Sequence, residues 1–231
     1  MLGDLQRGRT DRVVQWLASG RDPRASAPDG SPLIVWCAYY GDVTAVRLLL
    51  DRGETLATLG EDLGLNGAAF HGHWRLVEFL LEQGADPNFR DPETGETPLH
   101  SALTKRNRAS GEAAAEVLLR AGADPNARTV PGRPTGALMR DARTRGETPL
   151  HRAAAYATPR TIQRLLDAGA DRQAQDANGD SPLCWASWAL RSAEVIELLC
   201  FPPHRVRPEA VRLSLGREAP VGDAPWELGE P

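Results

Sequence analysis

GETPLHSAL at residues 95–103 and GETPLHRAA at residues 146–154 are nearly the same sentence written twice, 51 residues apart. Thr followed by Pro starts a helix economically, because proline in the first helical turn gives up no hydrogen bond that the helix would have used. The small residues that follow, Ala102 and then Ala153 and Ala154, let a second helix approach closely. GDSPLCWAS (179–187) is a close variant of the same phrase, and GSPLIVWCA (30–38) is a looser one. An internal repeat is therefore the first thing this chain declares.

A second phrase recurs between these. Glycines fall at Gly20, Gly53, Gly84, Gly122 and Gly169, in SGRDPR, RGETLA, QGADPNFR, AGADPNAR and AGADRQAQ. Their spacings are 33, 31, 38 and 47 residues. Before each lies an apolar run with helical spacing, VVQWL, AVRLLL, LVEFLL, AEVLL and IQRLL, with VIELL before Cys200 as a sixth. A glycine just past such a run supplies a left-handed helix end. With two copies of T-P-L-H and two of G-A-D-P-N at matching offsets, residues 1–200 resemble the ankyrin-repeat family. That resemblance implies an all-α solenoid of about six helix-turn-helix units carrying hairpin fingers. No unit covers its own apolar stripe, so neighbours must stack. In such repeats the motif histidine bonds to backbone and to the neighbouring turn.

The expected units are a truncated cap at 1–25 and repeats near 26–58, 59–89, 90–127, 143–174 and 175–200. Departures from the pattern stand out against it. GEDLGLNGAAFHGH (60–73) lacks T-P-L-H, so its first helix is expected to be present but less well capped. KRNRASGE (105–112) adds about four residues between two helices, with Arg106 and Arg108 projecting. RTVPGRPTGALMRDARTR (128–145) is the largest departure, since Pro131, Gly132, Pro134 and Gly136 interrupt any helix. Arg128, Arg133, Arg140, Arg143 and Arg145 against Asp141 give it a local charge of +4. Two readings stand: a loose insertion tolerated at small closure cost, or a basic finger for an acidic partner. On either, deleting 130–143 is expected to leave the fold intact. Residues 201–231 leave the repeat. A short helix at 208–215 is expected to seal the last apolar face, and Trp226 to tuck against the solenoid.

The resemblance also implies where binding occurs: at fingertips and at the two positions after the paired alanines of each first helix. These positions hold Tyr39 and Tyr40, Phe70 and His71, Thr104 and Lys105, Ala155 and Tyr156, and Trp188 and Ala189. Five of the ten are aromatic in a chain only 6% aromatic. Tyr and Trp suit interfaces, because they bury large area and keep a polar handle. Trp36 and Trp185, after the motif His position, are expected to pack between units. Arg152 holds that same slot and is expected to face outward. Asp29, Glu93, Glu96, Glu147, Asn178 and Asp180 are the expected fingertips. The candidate partner-binding set is Tyr39, Tyr40, Phe70, His71, Thr104, Lys105, Arg152, Tyr156, Trp188, Asp180, Arg133 and Arg140.

Other classes find little support. Formal net charge is −4, which disfavours nonspecific attraction to nucleic acid or anionic membrane. Lys105 is the only lysine among 27 basic residues, a bias that points to a GC-rich, bacterial genome. Cys37, Cys184 and Cys200 form neither a disulfide framework nor a CxxC pair, which suits a reducing compartment. Cys37 and Cys184 are expected to be buried, inert thiols. His100 and His151 belong to the repeat motif, and His71 with His73 has no further ligands at metal spacing. No phosphate loop, nucleotide fingerprint or nucleophile elbow occurs. No apolar run is long enough to span a bilayer. The expectation is a cytoplasmic, monomeric, non-catalytic module, without metal or cofactor, that binds a protein, with neutralisation of an enzyme or toxin as its narrower version. The alternatives are an anionic-ligand or nucleic-acid binder working through the Arg-rich insertion, and a structural fragment of a larger array.

Overall fold

The computed structural model describes residues 2–104, 108–135 and 143–202. Eleven α-helices occur among them, with no β-strand beyond two isolated bridges. A 3-10 turn at Leu2–Arg7 precedes α1 (Arg12–Ala18). The inner row is α2 (Leu33–Tyr39), α4 (Leu65–Phe70), α6 (Pro98–Ala102), α8 (Pro149–Tyr156) and α10 (Pro182–Trp188). Each inner helix packs on the next. The outer row is α1, α3 (Val43–Asp51), α5 (Trp74–Glu82), α7 (Arg108–Arg120), α9 (Pro159–Asp167) and α11 (Ala193–Leu199), packed the same way.

The repeated letters explain this stack. Pro98, Pro149 and Pro182 each open an inner helix behind Thr97, Thr148 and Ser181. The N–H groups of Thr97 and Thr148 donate to Nδ1 of His100 and His151, at 3.2 and 3.1 Å. An N–H is an unambiguous donor, so Nδ1 must accept and Nε2 must carry the ring hydrogen. Nε2 of His100 then donates to the carbonyl of Glu147 at 3.2 Å, and that of His151 to the carbonyl of Asp180 at 3.0 Å. Each histidine thus caps its own helix and pins the next finger. Burial, reinforced by the Arg152 guanidinium, lowers the His100 pKa to about 3, and burial also lowers that of His151. Both rings are neutral structural groups.

The G-A-D-P-N phrase staples the outer turns. The Asn88 amide donates to Gly122 O at 3.0 Å, and its oxygen accepts from Asp124 N at 2.7 Å. Asn126 repeats both bonds one unit on, to Gly169 O and from Asp171 N, each at 2.8 Å. Where the first unit has Arg24, its guanidinium covers Gly53 O instead, at 2.7 Å. The glycines ending the outer helices are left-handed, with φ between 86° and 101° at Gly53, Gly84, Gly122 and Gly169.

Two departures behave differently from expectation. The helix without T-P-L-H, α4, starts at left-handed Gly64, which has no side chain to cap it. Asp62 substitutes, accepting from Gly64 N at 3.0 Å and Asn66 N at 2.8 Å. The long insertion is anchored at both ends. Gly132 N donates to Thr144 O at 2.7 Å and Thr144 N to Arg133 O at 2.9 Å, so the two limbs pair as a hairpin stem. That stem holds the preceding finger through Val130 N to Thr94 O, and the following finger through Ala177 N to Arg145 O, both 2.7 Å. Residues 105–107 and the short helix expected at 208–215 lie outside the described residues, as does Trp226.

Candidate functional site

The inner row presents the ends of its helices side by side, and these carry the exposed aromatic residues. Tyr39 and Tyr40 end α2 at 45% and 36% exposure, and Trp188 ends α10 at 59%. Phe70, His71 and Tyr156 are half-buried in the same row. At the N-terminal end the rings touch. Tyr39 meets Tyr40 edge-on at 5.1 Å and His71 at 4.7 Å, while Phe70 meets His71 at 5.2 Å. Trp36 lies beneath, stacked on Tyr40 at 6.2 Å. The Tyr40 hydroxyl donates to Gln6 O at 2.7 Å, tying the platform to the cap. Gly41 makes room for it: a Cβ there would stand 2.5 Å from the His73 ring, whose Nε2 lies 2.9 Å from Tyr39 O.

Arg152 corrects the outward reading of its slot, because its side chain is fully buried. Nε and Nη2 donate to Glu147 Oε1 at 3.0 and 2.6 Å, Nη2 reaches Glu96 Oε1 at 2.5 Å, and Nη1 donates to His100 O at 3.1 Å. A buried cation is tolerable only when paired and hydrogen-bonded. Here two fingers each contribute a carboxylate. Glu147 is consequently no fingertip: it too is buried, and it also accepts from Thr129 Oγ1 at 2.7 Å and Arg145 N at 2.6 Å. Burial pushes its carboxyl up, but Arg152 and these donors outweigh burial and hold the pKa at about 2. Glu96, half-buried, also accepts from Thr135 of the insertion stem at 2.9 Å. In the equivalent slot Trp185 is buried as expected, with Nε1 donating to Asp176 Oδ2 at 3.1 Å. The slot faces the finger of its own unit, and the finger's acid decides what fits there.

Thr104 also departs from the exposed reading. It is buried, since the first helix of its unit ends early, at Ala102, and the chain turns inward. Asp180 is half-buried, with its backbone spent on His151 and on Asp176 Oδ1. Cys184 is half-buried rather than buried, and Ser181 Oγ lies 3.5 Å from its sulfur. Cys37 is buried, and burial together with Asp42 pushes its thiol up to about 12, which leaves it unreactive. Lys105 and Arg140 lie outside the described residues. Arg133 is exposed on the insertion stem.

The C-terminal end of the row holds residues the candidate set lacked. Leu190 is 91% exposed with φ of +50°, at the position where the earlier units place left-handed Gly41 and Gly72. Reading position against position would have exposed it. Arg145, from the insertion stem, lies with its guanidinium carbon 5.8 Å from the Trp185 ring and 6.0 Å from Trp188. Arg143 is exposed beside it and donates to Gly132 O at 2.7 Å. Among the described residues, Arg133, Arg143 and Arg145 pair with no carboxylate. None of the described His, Cys, Asp and Glu side chains gather in threes as a metal would require, and no described helix is long and apolar enough to cross a membrane.

Stacked helix pairs, histidine and asparagine staples and a row of exposed helix ends define a repeat scaffold, and the sequence agrees. Ankyrin repeats (3 copies) match residues 5–91 and 134–210, and ankyrin repeats (many copies) match 68–119; the chain belongs to the ankyrin-repeat family. It is similar to the mouse palmitoyltransferase ZDHHC13, 27% identical over 77% of this chain and 32% of that protein. It is similar to human SH3 and multiple ankyrin repeat domains protein 2, 33% identical over 56% of this chain and 6% of that one. Mouse Rabankyrin-5 is 38% identical over 47% of this chain and 9% of its own length. The chain therefore spans about a third of the mouse palmitoyltransferase, within its repeat region.

Proposed function

We propose that this chain is a non-catalytic module that holds a partner protein against its inner row and fingers. One observation carries the reading: Tyr39, Tyr40 and Trp188 stand exposed along a single row of helix ends, with Phe70, His71 and Tyr156 half-buried in the same row. Exposed aromatic residues on a rigid scaffold bind at low entropic cost. Membership of a repeat family used for protein interaction supports the same reading. Neutralising an enzyme or toxin by covering its surface is a narrower form of the same reading. The test is capture of partners by the wild type beside Tyr39→Ala/Tyr40→Ala/Trp188→Ala, with the melting of each recorded. A protein held by the wild type and lost by a variant that still melts cooperatively supports the reading. A protein held equally by both, or a variant that no longer folds, defeats it.

A further inference from the structure

The surface around Trp188 combines three properties that nothing in the fold requires. Trp188 is 59% exposed and Leu190 91% exposed. Leu190 also adopts φ of +50°, a left-handed conformation that costs a leucine about 1 kcal/mol and suits glycine. A large apolar residue held at such cost while burying almost nothing marks a contact made with something else. Arg145 lies beside Trp188, and the insertion stem that carries it also carries Arg133 and Arg143; all three are exposed and without carboxylate partners among the described residues. Arg145 already reaches over the Trp188 ring, so apolar and cationic elements form one surface. Its complement is an acidic segment carrying an aromatic anchor.

Such a segment exists in this chain. Residues 218–231, EAPVGDAPWELGEP, lie outside the described residues and outside both repeat matches. They hold Glu218, Asp223, Glu227 and Glu230 with no basic residue, and Trp226 and Leu228 sit between the last three acids. Pro220 and Pro225 restrict the backbone, which lowers the entropy lost on docking. We propose that residues 218–231 dock on the surface of Trp188, Leu190 and the insertion stem of the same chain, with Trp226 as the anchor. The link permits it. Trp226 follows Pro202, the last described residue, by 24 positions, which as a flexible coil span roughly 25–30 Å. Tethering at that length gives an effective concentration on the order of millimolar, so even a weak contact is occupied. The segment then competes with any acidic partner for the C-terminal half of the row and leaves Tyr39 and Tyr40 free.

The test needs no partner, so its outcome is separable from that of the partner-binding reading. The full chain is labelled with 5-fluorotryptophan at its six tryptophans, and the Trp226 fluorine signal is assigned by its loss in Trp226→Phe. The wild type is expected to show that signal displaced from free fluorotryptophan and weakly responsive to D2O. It should return to the free position in Trp188→Ala and in Arg133→Glu/Arg143→Glu, each checked for unchanged melting. It should also return in the wild type as salt rises from about 0.05 to about 0.5 M, where exposed charges are screened. A Trp226 signal at the free position in low salt overturns the proposal. So does a displaced signal indifferent to salt and to both variants, which places Trp226 elsewhere on the solenoid. Displacement that vanishes on dilution assigns the contact to a second copy and overturns the same-chain form.

Discussion

The two ends of the inner row solve the same problem in opposite ways. At the N-terminal end Trp36, Tyr39, Tyr40, Phe70 and His71 support one another, with ring centroids 4.7 to 6.2 Å apart between neighbours. At the C-terminal end Trp188 and Leu190 stand nearly alone, with Arg145 over the Trp188 ring from an insertion that the other fingers lack. A platform of mutually packed rings is preorganised for a broad, largely uncharged contact. An isolated anchor beside unpaired cations selects by charge, which governs specificity and association rate more than affinity. Between the two ends lies the Arg152 clamp, which contributes nothing to the surface yet fixes the insertion stem relative to the fingers.

The largest effect is expected from breaking that clamp. Arg152→Ala leaves two buried or half-buried carboxylates without their cation, a change on the order of 3–5 kcal/mol. Thermal unfolding should shift down by about 6–20 °C, whereas Trp188→Ala should shift it by less than about 2 °C. Equal shifts would erase the distinction between clamp and surface. Acid should act next. His100 and His151 are held neutral with pKa values below those of an unfolded chain, so unfolding takes up protons below about pH 6.5. Stability is therefore intact above that value and is lost as pH falls. Glu147 adds its own loss only between about pH 4.5 and 2, because its folded pKa is also depressed. Denaturant midpoints measured from pH 7 to 4 should fall steadily, and a flat profile to pH 5 would contradict neutral buried histidines.

Smaller effects sharpen the comparison of the two ends. Tyr39→Ala/Tyr40→Ala removes ring pairs worth about 0.5–1.5 kcal/mol each, so it should cost measurable stability where Trp188→Ala does not. Deleting 130–143 removes Thr135 from Glu96 and Val130 from Thr94. A loss of about 1–2 kcal/mol in the urea midpoint is expected, in place of the neutrality that repeat spacing alone suggests. Leu190→Gly should raise stability by up to about 1 kcal/mol by relieving the left-handed leucine. Loss of stability there would show that Leu190 packs against the solenoid.

The repeat was legible because its letters report local physics: Thr-Pro starts, histidine caps, and glycine ends recur at readable offsets. The exposed aromatic positions followed from the same register. Arg152 was not legible, since an arginine after the motif histidine looks like a solvated residue until Glu96 and Glu147, 56 and 5 positions away, are seen to converge on it. Thr104 was misplaced because register assumed a full first helix, and α6 stops at Ala102. Leu190 was readable only by noticing a glycine position occupied by something else. Insertion geometry could not be counted from spacing, because its order comes from backbone pairing with fingers on both sides.

The central claim is that the inner row, and not the outer helices, is the binding face. Hydrogen–deuterium exchange of the chain with and without its captured partner tests this most directly. The account predicts protection in peptides spanning 36–41, 68–73 and 185–191, with α3, α5, α7 and α9 unchanged. Protection confined to those outer helices would contradict it.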